Sequence, residues 1–211
     1  IINKNGFNIP KIDQKCINCG RCLTVCSSFN NTGKYYDNNF FKNLKDENCY
    51  IGYAKDNEIR NYGASGGIIT ALLINLLENK KIDGCIIAYS DGKIENTKAI
   101  IATTKDEILN SKSSKYMPIS MNTILKQTDK DKKYAYVGKG CDIRGLTLLQ
   151  EKYSVLKDII VLKIGLMCAG SPSVNATQNL YKEMTGMDYD SKKSCFFYRY
   201  KGWPGNSIAK Y

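Results

Sequence analysis

The sequence predicts an α/β (α+β) domain with a mixed sheet, preceded by a small cysteine-rich lobe. Two observations carry the prediction. From residue 62 onward, short β-rich apolar runs alternate with helical patterns, the order expected of strands and helices layered on one another. Four of the nine cysteines fall within eleven residues near the start of the chain, a spacing that belongs to a metal or cluster site. The 211 residues, 43% hydrophobic and 24% charged, suffice for one full domain plus a small one of ordinary globular composition.

The N-terminal motif is Cys16-Ile17-Asn18-Cys19-Gly20-Arg21-Cys22-Leu23-Thr24-Val25-Cys26. This is C-x2-C-x2-C-x3-C, the spacing of a bacterial ferredoxin cluster, so residues 1–30 read as a ferredoxin-like 4Fe-4S lobe. Three thiolates wrap a tight loop around one cubane, and Gly20 lets the backbone approach its sulfides. Zinc also binds C-x2-C pairs, yet zinc sites seldom pack four cysteines so closely. In this pattern the fourth cysteine, Cys26, usually serves a second cluster, which needs three further cysteines that nothing upstream supplies. Gly6-Phe7-Asn8-Ile9-Pro10 reads like the linker between two half-motifs, and Ser27 replaces the customary proline. The expectation is a fragment whose first half-motif is missing.

Residues 31–61 are polar, carry a lone Cys49 and read as a linker. The α/β domain then occupies 62–211. Ala64-Ser65-Gly66-Gly67 opens a helix whose apolar residues at 68, 69, 72, 73, 76 and 77 share a face. Ser65 is the expected N-cap, and the paired glycines either admit an anion to the helix N-terminus or simply turn the chain. Residues 82–89 and 99–102 read as strands, with Cys85 a buried structural thiol. Thr104-Lys105-Asp106-Glu107 is a capping box. A polar loop holding Ser114-Lys115-Tyr116 follows, and Pro118 begins another helical stretch.

Next comes the strand 134–137, a glycine loop Gly138-Lys139-Gly140, Cys141 and a helix to Tyr153. A strand over 159–164 runs out to Cys168, and Ser173 precedes a helix ending near Met184. The chain closes on an aromatic, β-like stretch from Cys195 to Tyr211. Cys141 and Cys168 both follow strands and sit beside glycines, where α/β sheets place ligands.

Composition excludes whole classes of chemistry. With no histidine in the chain, Ser-His-Asp and Cys-His catalysis, imidazole zinc ligands and Rieske centres are out. The formal charge of +11 admits a nucleic-acid reading, but the lysines are scattered rather than clustered, so no nucleic acid is expected. The apolar run over 68–77 is too short for a membrane span. An odd cysteine count without a secretory segment argues for a reducing compartment, the cytoplasm.

The ordered set of motifs resembles the coenzyme F420 hydrogenase/dehydrogenase beta-subunit family. The matching pieces are Gly6 through Cys26, the Ala64-Ser65-Gly66-Gly67 helix start, Ser114-Lys115-Tyr116, the loop from Val137 to Gly145, Cys168-Ala169-Gly170-Ser171-Pro172-Ser173, and Tyr198-Arg199-Tyr200-Lys201-Gly202-Trp203. The resemblance implies an iron–sulfur flavoprotein oxidoreductase. It would bind FAD, pass electrons between flavin and 4Fe-4S clusters, and in F420-using members exchange hydride with the deazaflavin. Ser65, Gly66, Gly67, Ser114, Lys115, Tyr116, Gly138 and Gly140 are then the candidate flavin contacts. Cys16, Cys19, Cys22 and Cys26 are the candidate cluster ligands, with Cys141 and Cys168 for a further cluster.

Two departures stand out. Gly140-Cys141-Asp142 replaces the family's Pro-Cys-Gln, and Ala169 takes the place of histidine in its Cys-His-Gly. The family's C-terminal part is also expected to be missing. The implied partners are a redox protein or other subunits. The alternatives are a ferredoxin-type electron carrier without its own substrate, and an F420-independent homologue serving surface-polysaccharide biosynthesis.

Overall fold

Residues 2–29, 48–202 and 205–211 are described by a computed structural model of the chain. Much of the expected 31–61 linker, and Trp203, lie outside the described residues.

Alternation within the strands decides the layering. Strands β3 (Gly84–Tyr89), β4 (Lys98–Ala102), β5 (Tyr134–Lys139) and β6 (Ile160–Leu166) form one sheet in the order β4-β3-β5-β6. β3 pairs β5 and β5 pairs β6 in parallel, whereas β4 pairs β3 antiparallel. The predicted mixed sheet is present. Because successive side chains point to opposite faces, Cys85, Ile87, Ala135 and Val137 enter one core. Ile86, Tyr134 and Tyr136 enter another. The central strands are apolar on both faces because both faces are covered.

The first face is covered by α2 (Asn57–Tyr62), α3 (Ile68–Glu78) and α4 (Lys105–Asn110), which bring Ile59, Leu73, Ile74 and Ile108 to the core. The second takes α5 (Gly140–Lys152), α6 (Val155–Ile159) and a 3-10 helix over Met121–Gln127, contributing Leu146, Ile159, Met121 and Leu125. Cys85 is completely buried, as expected of a core thiol, and burial pushes its pKa up to about 12. Helix α2 occupies six residues at the end of the stretch read as linker. Its N-cap is Asp56, whose carboxylate accepts the Ile59 N–H at 3.0 Å.

Outside the sheet, β7 (Cys195–Tyr200) and β8 (Asn206–Lys210) form an antiparallel hairpin. It packs on α7 (Val174–Thr185), where the Tyr181 hydroxyl donates to the Lys210 carbonyl at 3.2 Å. The hairpin also reaches the end of β3, since the Phe196 N–H donates to the Gly92 carbonyl at 2.7 Å. The N-terminal lobe consists of a hairpin, β1 (Ile2–Lys4) and β2 (Phe7–Ile9), a loop carrying the first cysteines, and one turn of helix, α1 (Arg21–Thr24). Among the described residues no helix is long and apolar enough to cross a membrane.

Candidate functional site

Since β3, β5 and β6 are parallel, their carboxyl ends open on one edge of the sheet, where α/β folds bind ligands. At the β3 end lies a pocket of about 180 Å³. Its wall combines four segments: Tyr62 at the end of α2, Ser90 just beyond β3, residues between Leu109 and Met117 where the chain leaves α4, and the aromatic strand β7 running on to Lys201. Phe196, Phe197, Tyr198 and Tyr200 supply the apolar face, while Lys112, Lys115 and Lys201 bring amines. A concave apolar surface with a few polar groups is what a cofactor ring with anionic substituents needs.

The pocket loop is held from both sides. The Ser113 hydroxyl lies 3.1 Å from the carbonyl oxygens of both Tyr198 and Arg199. The Tyr116 ring meets the Tyr198 ring edge-on at 5.1 Å, and the Arg199 guanidinium sits 5.4 Å from the Tyr116 ring centre. The Tyr198 hydroxyl pairs with the Thr177 hydroxyl at 2.9 Å, linking the pocket wall to α7.

Lys115 turns inward. Its amine donates to the carbonyls of Ser111, Lys112 (2.9 Å) and Ser113 (3.1 Å). An ammonium has three donors, so the loop itself takes them all. Burial lowers the pKa of this lysine from 10.5 to about 7. The amines at the pocket rim that remain for an anionic group are Lys112, which also lies 5.3 Å from the Tyr62 ring centre, and the exposed Lys201.

The sequence-predicted site residues thus divide. Ser114 and Lys115 line the pocket, and Tyr116 buttresses it from behind. Ser65 is not the cap of α3. Gly67 is, in a left-handed conformation with φ 73°, and no side chain caps the helix. A glycine takes this conformation without the steric cost a side chain would meet. The glycine pair packs against the protein's own backbone: a Cβ at Gly67 would fall 2.5 Å from the Ile59 carbonyl oxygen, and one at Gly66 3.2 Å from the Tyr53 Cβ.

Gly138-Lys139-Gly140 is not a loop. Gly138 and Lys139 end β5, and Gly140 begins α5 without an intervening residue. Asp142 occupies the start of that helix. Its carboxylate accepts the Lys139 N–H at 3.0 Å and the Lys139 ammonium at 2.8 Å. A Cβ at Gly138 would press on Tyr136 and Asp142, at 2.7 and 2.9 Å, whereas Gly140 has open space around it.

Lys112, Lys201, Tyr62 and the ring wall of β7 were missed as pocket residues by sequence reasoning. The aromatic run Phe196-Phe197-Tyr198-Arg199-Tyr200 was the available signal.

Cys16, Cys19, Cys22, Cys141 and Cys168 are exposed, Cys26 is half-buried, and no disulfide joins cysteines among the described residues. Cys141 and Cys168 share the carboxyl edge. Lys139 and Leu166 are register partners on β5 and β6, and each cysteine lies two residues beyond its partner. Near Cys141 the buried Tyr136 hydroxyl donates to Asn122 at 2.5 Å. Burial, then the charges of Asp142 and Cys141, push the Tyr136 pKa up. Thiolates at C-x2-C-x2-C-x3-C spacing are the right donors for an iron–sulfur cluster. In this structure, however, no three His, Cys, Asp or Glu side chains among the described residues are gathered closely enough to hold a metal ion.

Comparisons with known proteins agree with this architecture. Residues 49–126 match the family described as coenzyme F420 hydrogenase/dehydrogenase, beta subunit N-term, and residues 131–210 match the C-terminus counterpart of that same description. The coenzyme F420 hydrogenase subunit beta of Methanosarcina barkeri is 25% identical over 161 residues, which cover 74% of this chain and 55% of that protein. The F420-dependent formate dehydrogenase 1 subunit beta of Methanococcus maripaludis is 26% identical over 134 residues, covering 63% of this chain and 34% of the relative.

A chain of the xenon-derivatised F420-reducing NiFe hydrogenase complex from Methanosarcina barkeri superposes with a TM-score of 0.57 at 23% identity. That superposition covers 75% of this chain and 58% of the other, and supports the fold. The chain spans about half the length, or less, of these curated relatives. With both halves of its α/β body matched in order, the chain belongs to the coenzyme F420 hydrogenase/dehydrogenase beta-subunit family.

Proposed function

We propose that the chain is the electron-transferring part of an iron–sulfur flavoprotein oxidoreductase that draws hydride from a carrier such as reduced coenzyme F420. The observation that carries this reading is the pocket at the β3 end. Two of the three residues picked out by Ser114-Lys115-Tyr116 line it, and four aromatic rings and rim lysines complete it.

At about 180 Å³ the enclosed space is smaller than the roughly 300–1,000 Å³ of sites that bury a whole drug-sized ligand. It therefore fits part of an FAD, with Phe196, Phe197, Tyr198 and Tyr200 against the ring system and Lys112 and Lys201 for the phosphates. When bound, a flavin supplies the conversion between two-electron hydride transfer and one-electron clusters. The protein's share is to hold the ring, exclude water and place the cysteines.

On this reading Cys16, Cys19 and Cys22 hold a 4Fe-4S cluster, and Cys26 reaches away from them toward a second. Cys141 and Cys168 would serve a further cluster near the flavin, with other subunits providing the remaining electron path. Gly66, Gly67 and Gly138 pack against the protein's own chain, whereas Ser65 and Gly140 stay among the flavin contacts of this reading.

The test is anaerobic purification of the full chain with iron, sulfide and flavin counted together. The expected result is at least one flavin and four irons per chain, with the bound flavin bleached by reduced F420. Iron without flavin would replace the proposal with the carrier reading. Flavin that NADH reduces and reduced F420 does not would replace it with the F420-independent one. Cys19→Ser should remove the iron of its cluster, and unchanged iron would sink the cluster assignment.

A further inference from the structure

We infer that the N-terminal cysteine lobe is seated on the α/β body through two glycines, Gly6 and Gly145, which hold Cys26 against α5 and leave Cys16, Cys19 and Cys22 outward. The first contact is at the start of α7. The Gly6 carbonyl accepts the Val174 N–H at 2.9 Å, satisfying one of the amides that a helix N-terminus leaves unbonded. Gly6 is buried, with φ 79°, and a Cβ there would fall 2.9 Å from the Asn175 nitrogen and from the Ser173 Cβ. Two residues on, the Asn8 side chain donates to the Pro118 carbonyl at 3.1 Å.

The second contact is on α5. Gly145 is buried inside that helix, where glycine costs about 1 kcal/mol relative to alanine. Its lack of a side chain has a local reason. A Cβ would lie 3.0 Å from the Asn122 amide nitrogen and 3.6 Å from the Val25 carbonyl oxygen.

Burial in the lobe follows the same seam. Val25, Cys26 and Ser27 are half-buried, whereas Cys16, Cys19 and Cys22 are exposed. Cys141 lies four residues before Gly145, and residues at that spacing share a helix face. The fourth cysteine of the motif is thereby fixed beside the face that carries Cys141. The lobe is a docked part of the body and not a tethered carrier, whichever cofactor the pocket takes.

Hydrogen exchange on the full chain tests this. In the unmodified protein, the amides of 6–8 and 23–27 should exchange at least tenfold more slowly than an unfolded chain. Gly145→Leu should release 23–27 while 134–139 and 160–166 stay protected. Gly140→Leu, on the same helix but in open space, should leave 23–27 unchanged. If Gly145→Leu also loosens the body, Gly6→Ala carries the test from the other contact and should release 2–9 alone. The inference is overturned if 23–27 already exchange freely in the unmodified chain, or if neither Gly145→Leu nor Gly6→Ala accelerates the lobe.

Discussion

The Ser113 hydroxyl lies 3.1 Å from the Tyr198 carbonyl, joining residues 85 positions apart across the mouth of the pocket. It lies equally close to the Arg199 carbonyl, so one proton is shared by two acceptors. Ser113 and Arg199 themselves hold left-handed backbones, at φ 78° and 49°. The pocket depends on this crossing. Ser113→Ala should cost about 0.5–1.5 kcal/mol of stability, the net worth of a typical hydrogen bond. It should also lower the flavin-to-protein ratio several-fold. Ser113→Gly loses the same bond but accepts φ 78° without strain, so its melting temperature should exceed that of Ser113→Ala while its flavin ratio remains low.

Lys115 has a pKa near 7 because burial disfavours its charged form. Between that value and its ordinary 10.5, the unfolded chain holds a proton that the folded chain lacks. Stability therefore rises with pH across this window. Denaturant unfolding at several pH values should show a rise between pH 7 and 10 in the unmodified protein, and a flatter one in Lys115→Met. Parallel profiles would refute the low pKa.

The Lys139–Asp142 pair, at 2.8 Å, bonds a carboxylate into the first turn of α5. Asp142→Ala should destabilise the protein by about 1 kcal/mol, through the lost cap and helix-dipole contact. It should leave the flavin ratio unchanged, because the pocket lies at β3. A large fall in flavin would return Gly138 to the list of contacts.

Cys85 and the edge cysteines should differ in reactivity, since the thiolate is the nucleophile. Brief alkylation of metal-free native protein, mapped by mass spectrometry, should label Cys141 and Cys168 and spare Cys85, with its pKa near 12. Cys85 should react only after unfolding. Early labelling there would mean that β3 is not a core strand.

What the sequence revealed and what it hid divide along contact range. The Thr104 capping box was legible because it closes within four residues: Thr104 accepts the Glu107 N–H at 3.2 Å, and Glu107 accepts the Thr104 N–H at 3.1 Å. Cys85 was legible from the apolar run around it. The α3 cap was misplaced because the packing of Gly67 on Ile59, which selects that glycine, is invisible to a local pattern. Helix α2 was missed because six residues with one buried side chain, Ile59, are too few to show a period. The pocket escaped for the same reason as the Ser113–Tyr198 bond: its walls come from distant parts of the chain.

The direct junction of β5 with α5, with no residue between Lys139 and Gly140, also limits what this part of the chain can tolerate. Elsewhere a surplus residue can bulge into a turn. Here a single insertion must be absorbed by the helix, which turns about 100° for each residue. Leu146 would rotate out from beneath the sheet, and Cys141 and Gly145 would leave their neighbours together. Length variation should therefore gather in segments such as the turn between Thr128 and Lys133, while this junction keeps its length.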